Sequence, residues 1–160
     1  MRPRVFNRNE SGSTTAEFAV VAGVFFMLIF GIIEFGRLFY THNALTDAAR
    51  RGARYAVLHE QNAQSLKCIK NVAVYGETHI SAYPNCDPPA GQPSLINGLA
   101  SANILVIYDG GYKTDTGSVT VTIQNYTFDL SIPLFGRTLN MPAYSTTLTA
   151  ESAGEVPGDI

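Results

Sequence analysis

The sequence predicts an α+β protein, with a small antiparallel β-sheet domain packed on the exported half of a long N-terminal membrane-spanning helix. Three observations predict this fold. Residues 18–33 contain no charged or strongly polar side chain, which is typical of a helix in lipid. No proline interrupts residues 4–83, so the helix can continue beyond the membrane. At residues 118–124, apolar and polar residues alternate with the period of two that marks a strand with one covered face.

Composition and charge exclude some classes of protein. The chain has 160 residues, enough for one modest domain or for a small domain plus a separate element. With 46% hydrophobic and 15% charged residues, it does not have the composition of a disordered chain. Its net charge is −2, without the basic excess of a nucleic-acid binder. We therefore expect no nucleic acid among its partners.

The apolar run of residues 18–33 lies between two acids, Glu17 and Glu34. As a helix, residues 13–36 would extend about 36 Å, enough for a hydrocarbon core of about 30 Å. A buried helix of a soluble domain is disfavoured because the chain is too small to cover a helix that is apolar on all sides. A cleaved secretory signal needs a small-x-small site, and Glu34 and Phe35 follow the run instead. A retained membrane helix over residues 13–36 fits best.

Residues 1–12 form a polar, basic leader with three arginines. The positive-inside rule favours a cytoplasmic location for this leader. Four arginines follow the apolar run, at positions 37, 50, 51 and 54. The positive charges on the two sides of the run therefore nearly balance and do not determine the orientation by themselves. The two cysteines and the predicted strands further along favour export of the C-terminal half. We therefore predict a single-pass protein with an exported C-terminal domain.

Glu17 is an acid at the edge of the membrane helix. An ionised carboxylate there costs a few kcal/mol unless it has a partner. Cleavage after Gly12 would make Ser13 the new N-terminus, whose α-amino group is a cation with a pKa near 8. That amine, from the same helix or from a neighbouring copy, could pair with Glu17. Alternatively, Glu17 lies in the headgroup layer, where an acid suits the start of a helix.

Two motifs carry a resemblance to a known family. The segment GSTTAEF at residues 12–18, followed by the apolar run, resembles the processing pattern of type IV prepilins. The segments IEFGR at residues 33–37 and AARRGARYA at residues 48–56 are similar to those of the TadE-like family. The resemblance covers residues 12–58 clearly and extends loosely to residue 152.

The resemblance implies a type IV pilin-like fold and a role as a pseudopilin or minor pilin of the tight-adherence (Flp) pilus, with cell adhesion downstream. A prepilin peptidase would cut between Gly12 and Ser13. The implied location is the bacterial inner membrane, with the C-terminal domain periplasmic, or extracellular once in a pilus. The implied partners are the peptidase, other pilin and pseudopilin subunits, the inner-membrane assembly platform and the lipid bilayer. The alternative is an uncleaved, membrane-anchored periplasmic domain that binds an envelope partner or surface ligand.

Residues 37–60 keep a helical pattern of apolar positions and are predicted to continue the helix. Small residues recur on one face of this segment, which allows another element to approach closely. They are Ala49, Gly52, Ala53 and Ala56. We refer to these four residues as the packing strip. Either the chain's own sheet covers the strip, or another subunit packs there.

Residues 61–152 are predicted to form a small α+β domain, followed by a flexible tail over residues 153–160. A short helix at residues 61–75 precedes a proline-rich loop. Cys68 and Cys86 flank this region, and a disulfide between them would contribute about 3 kcal/mol; two free thiols are the alternative. Strands are expected at residues 104–108, at 118–124 with a pattern running on through residue 128, and at 144–151.

The sequence contains no recognisable catalytic or metal-binding motif. A phosphate-binding loop, a nucleophile elbow, a C-x-x-C pair and an H-E-x-x-H pair are all missing. The three histidines have no ligand spacing with the cysteines. We therefore predict a protein that is not an enzyme, with no catalytic residues, no metal and no cofactor.

Overall fold

The computed structural model describes residues 11–76, 85–110, 117–131 and 138–149. Most of the predicted leader and the whole predicted tail at 153–160 lie outside these residues. The elements are helices α1 (Ser11–Val57) and α2 (Ala63–Tyr75) and strands β1 (Ile104–Asp109), β2 (Ser118–Ile123), β3 (Thr127–Asp129), β4 (Thr138–Asn140) and β5 (Tyr144–Thr149). A long N-terminal apolar helix with a small antiparallel sheet confirms the predicted α+β, pilin-like fold.

Helix α1 has two different halves. Its 47 residues would extend about 70 Å at the usual rise per residue. In the first half, apolar side chains are exposed around the whole circumference, and only 6% of the most apolar 18-residue window is buried. From residue 41 onward, α1 carries core residues that include Leu45, Ala48 and Ala53. The helix is therefore long and apolar enough to cross a membrane while its second half supports the domain.

Helix α1 ends at Val57, three residues before the predicted boundary at residue 60. Its last turn tightens, since the backbone N–H of Leu58 donates to the carbonyl of Tyr55 at 3.3 Å. The Tyr108 hydroxyl lies 3.1 Å from the carbonyl oxygen of Ala56 and 3.2 Å from that of His59. Carbonyls at a helix end lack partners within the helix. A strand residue about 50 positions away therefore helps to terminate α1.

Helix α2 begins at Ala63, two residues later than predicted, because Asn62 caps it. The Asn62 side chain accepts a hydrogen bond of 2.8 Å from the backbone N–H of Ser65. At the other end, Gly76 adopts a φ of 90°, and its N–H donates to the carbonyl of Val72 at 2.9 Å. That left-handed conformation favours glycine and stops the helix there.

Two antiparallel sheets are formed by the described residues. The larger has the order β1-β2-β5, with Ile104 opposite Ile123 and Ile123 opposite Tyr144. Its inward face supplies the buried residues Val119, Val121 and Ile123, which pack in the same core as α1 and α2. Its outward face carries mostly serine and threonine. The smaller sheet pairs β3 with β4.

The prediction that β2 continues through Tyr126 and Phe128 was wrong. The ladder stops at Ile123, and Asn125 adopts a φ of 55°. Asparagine tolerates this left-handed conformation better than most residues. The turn redirects the chain, so that Phe128 lies in β3 and pairs with Leu139. Tyr126 and Phe128 are buried, but their alternation is shifted by one residue relative to that of β2.

The packing strip lies in the domain core. Ala49, Ala53 and Ala56 are at most 1% exposed. A methyl group added at Gly52 would meet Val121 Cγ1 at 3.1 Å and Ala73 Cβ at 3.3 Å. The chain's own sheet and α2 therefore cover the strip, and no second subunit can reach it without opening the core.

We expect Gly52→Ala to destabilise the domain by about 1 kcal/mol, because overpacking of about 1–3 kcal/mol outweighs a helix-propensity gain of about 1 kcal/mol. Gly36→Ala is the matched control, since no atom lies within 4 Å of its added methyl group. Urea unfolding of the full chain in detergent, followed by circular dichroism, measures both. A Gly52→Ala variant as stable as the Gly36→Ala variant would contradict the assigned packing.

Candidate functional site

The predicted processing segment lies at the exposed N-terminal end of α1. Gly12, Ser13 and Glu17 are all on the first turns of the helix and exposed. A methyl group added at Gly12 would meet no atom within 4 Å. Glycine within a helix costs about 1 kcal/mol relative to alanine. Packing among the described residues therefore gives no reason for a glycine at position 12.

Glu17 lies on the same face of α1 as Ser13, one turn away. The Ser13 hydroxyl donates a hydrogen bond of 3.3 Å to Glu17 Oε1. Within residues 11–76, 85–110, 117–131 and 138–149, no basic side chain forms an ion pair with Glu17. The carboxylate is thus exposed beside an apolar run, with Ser13 as its neighbour.

Glu34, the acid at the other end of the apolar run, is 5% exposed and well partnered. Arg37 Nη1 lies 2.8 Å from both carboxylate oxygens of Glu34, one turn along α1. The backbone N–H of Ser131 donates to Glu34 Oε1 at 3.0 Å. The charge of the carboxylate is therefore neutralised by Arg37, and the carboxylate also accepts a hydrogen bond from the chain segment that follows β3.

Arg37 joins the helix to the small sheet. Its Nη1 atom donates to the Ser131 hydroxyl at 3.0 Å, and its guanidinium carbon lies 5.2 Å from the centre of the Phe128 ring. A cation over an aromatic face is attracted by the ring. The sequence analysis placed Glu34 at the end of the apolar run and in the IEFGR motif, but it assigned no partner to its carboxylate. Its partner Ser131 is 97 positions away, and no local pattern could have indicated the contact.

An apolar groove of about 390 Å³ lies next to this junction, and we call it the junction groove. It is lined by Phe35, Leu38, Phe39, His42, Leu139, Asn140, Met141, Pro142 and Tyr144. Among these residues, His42 Nδ1 and the Tyr144 hydroxyl are 2.8 Å apart, a hydrogen-bonding distance. Burial raises the pKa of the Tyr144 hydroxyl above its usual value.

The structure contains the disulfide that the sequence suggested. Cys68 on α2 and Cys86 in the following loop form a disulfide, with their Cα atoms 5.0 Å apart. Asn71 Nδ2 donates to the carbonyl of Cys86 at 2.8 Å, and the Ser101 hydroxyl donates to Asn71 Oδ1 at 2.7 Å. A buried asparagine thus holds the loop on α2 beside the disulfide. Across the described ranges, no cluster of three His, Cys, Asp or Glu could hold a metal ion.

A family model supports the resemblance noted above. Residues 12–54 match the model of the family described as TadE-like protein. This match contains the processing segment, the apolar run, Glu34 and Arg37, and it ends within the packing strip. No curated protein and no solved structure matches the chain. The match confirms the resemblance to the TadE-like family over these residues and indicates involvement in a tight-adherence pilus system.

Proposed function

We propose that this protein is a pseudopilin or minor pilin of a tight-adherence pilus, held by α1 in the bacterial inner membrane and cut between Gly12 and Ser13. One observation carries the proposal. The exposed processing segment leads directly into a helix whose apolar residues 18–33 are uncovered on all sides. Water disfavours such a surface, whereas lipid or the helical core of a filament would cover it. The match over residues 12–54 points to the same system.

Cleavage after Gly12 is supported by the lack of a packing role for the residues on either side of the bond. Gly12 fills no tight space, and Ser13 contributes one hydrogen bond to Glu17. A new α-amino group on Ser13 would start on the helix face that carries Glu17, because residues four apart lie one above the other. The same amine can also reach Glu17 of a neighbouring copy, which would align two helices in lipid.

A periplasmic location of the domain is supported by the disulfide. Disulfides persist in oxidising compartments such as the periplasm and are rare in the cytosol. The Cys68–Cys86 bond is buried beside Val72, in the part of the chain on the other side of the apolar run from the leader. The three arginines of the leader fit the cytoplasmic side. Its partners would be the prepilin peptidase, other pilin subunits and the assembly platform.

Intact-mass measurement and N-terminal sequencing of protein from native membranes test the proposal. We expect a mature form that begins at Ser13 and lacks the first 12 residues. A chain that begins at Met1 or Arg2 would contradict processing and support the uncleaved, membrane-anchored binding domain. Recovery of the protein in the soluble cytosolic fraction would contradict both.

Glu17→Ala should leave cleavage largely intact and abolish or strongly reduce assembly, because the new amine would then lack its carboxylate in lipid. Immunoblots of cleaved protein and counts of surface pili measure the two steps separately. Glu60→Ala, which removes an exposed acid beyond the end of α1, is the control and should assemble normally. Normal pili in the Glu17→Ala variant would show that the amine pairing is wrong.

A further inference from the structure

The junction groove continues the apolar surface of the membrane helix. Phe35 and Phe39, which line it on α1, are 69% and 59% exposed and follow within two turns of the apolar run. Across the groove, Leu139 is 42% exposed, and Met141 and Pro142 add further apolar surface. Among the described residues that line the groove, none is an acid, a lysine or an arginine. The domain therefore presents apolar side chains beside the helix.

Helix length places this surface at the edge of a bilayer. The uncharged run of residues 18–33 spans about 24 Å, about one helical turn short of a hydrocarbon core of about 30 Å. On the side of the domain, the run is followed by the turn of residues 34–37. Its two charges, on Glu34 and Arg37, neutralise each other, and Ser131 provides a further hydrogen bond. This paired arrangement lowers the cost of bringing the turn up to the lipid boundary.

We propose that the junction groove lies against the phospholipid bilayer, with Leu139, Met141 and Pro142 in the boundary between headgroups and acyl chains. The proposal rests on the membrane insertion proposed above. His42 and Tyr144 also line the groove, and their polar atoms lie within hydrogen-bonding distance of each other, which lowers the cost of placing them near lipid. The bilayer is the partner favoured by continuity, because any bilayer that covers residues 18–33 reaches Phe35 on the next turn.

The chain has no tryptophan, so one introduced tryptophan reports on one position. Leu139→Trp and Pro142→Trp test the groove. Phe25→Trp reports on the middle of the membrane helix. Ile107→Trp is the matched control, because Ile107 is also an exposed aliphatic residue on a strand. It lies next to Tyr108, which contacts the C-terminal end of α1, far along the helix from the apolar run. The full chain is placed in phosphatidylcholine vesicles whose lipids carry bromine at defined acyl depths.

For Leu139→Trp and Pro142→Trp, we expect blue-shifted emission that is quenched most strongly by bromines near the headgroups. Phe25→Trp should be quenched by deep bromines, and Ile107→Trp by none. If Phe25→Trp is quenched while both groove variants behave like Ile107→Trp, the groove proposal is wrong and membrane insertion stands. If Phe25→Trp is not quenched, insertion itself fails. If the groove variants are blue-shifted but unquenched, and lose the shift on dilution to one chain per vesicle, a second copy occupies the groove instead.

Discussion

Gly12→Ala should stop removal of the first 12 residues and leave the chain at full mass. A peptidase that cuts after residue 12 must hold the backbone around that bond in one geometry. An added methyl group displaces the bond, and misplacement by about 1 Å can slow a reaction by about 100-fold. The variant should still fold and insert, because the methyl group meets no atom of the described residues within 4 Å. It should also gain helix propensity.

Gly23→Ala is the matched control for this experiment. It makes the same chemical change in the same helix, also with no atom within 4 Å, but 11 positions beyond Gly12. Both variants are expressed with the prepilin peptidase, and the intact mass of membrane-extracted protein is compared with that of the unchanged chain. We expect cleaved Gly23→Ala and uncleaved Gly12→Ala. Cleavage of both to the same mature mass would show that position 12 does not direct processing.

The features that could be predicted from the sequence are those set by local pattern. The length of α1 follows from an apolar run, a helical pattern and the lack of proline up to residue 83. Strands β1 and β5 follow from their β-branched and aromatic residues, and β2 follows from alternation. All three begin at the predicted residue, although the predicted continuation of β2 through residue 128 was wrong. The end of α2 at Gly76 follows from glycine's access to positive φ. In each case, the residues that determine the structure are neighbours in the chain.

The features that could not be predicted depend on contacts between distant segments. Glu34 accepts a hydrogen bond from Ser131, and His42 lies within hydrogen-bonding distance of Tyr144. The two partners are 97 and 102 residues away in the chain. The β3–β4 sheet was missed because buried residues resume at Tyr126 and Phe128 soon after the turn at Asn125, which resembles a continuation of β2. The signals of a turn were the asparagine and the shift of the alternation by one residue. The junction groove is therefore visible only once the fold brings β4 next to α1.

Removing the disulfide should cause the largest loss of stability. In the chain-entropy model, a bond that closes a loop with 17 residues between its cysteines contributes about 3 kcal/mol. Against a typical domain stability of about 5–15 kcal/mol, this is a large fraction. The double variant Cys68→Ser with Cys86→Ser keeps the size of the side chains approximately unchanged. We expect its urea midpoint, measured on the full chain in detergent, to fall accordingly.

Removing a neighbouring ion pair is the control for this experiment. It shows how much a non-covalent contact between the same two segments contributes to stability. Lys67 Nζ and Asp87 Oδ1 lie 2.7 Å apart and flank the two cysteines in the chain. Both side chains are substantially exposed, and such pairs contribute about 0.2–1 kcal/mol. Lys67→Ala should therefore lower the unfolding free energy much less than the double cysteine variant does. If both changes cost the same, the loop is held by non-covalent contacts such as that of Asn71, and loop closure by the disulfide is not what stabilises this part of the domain.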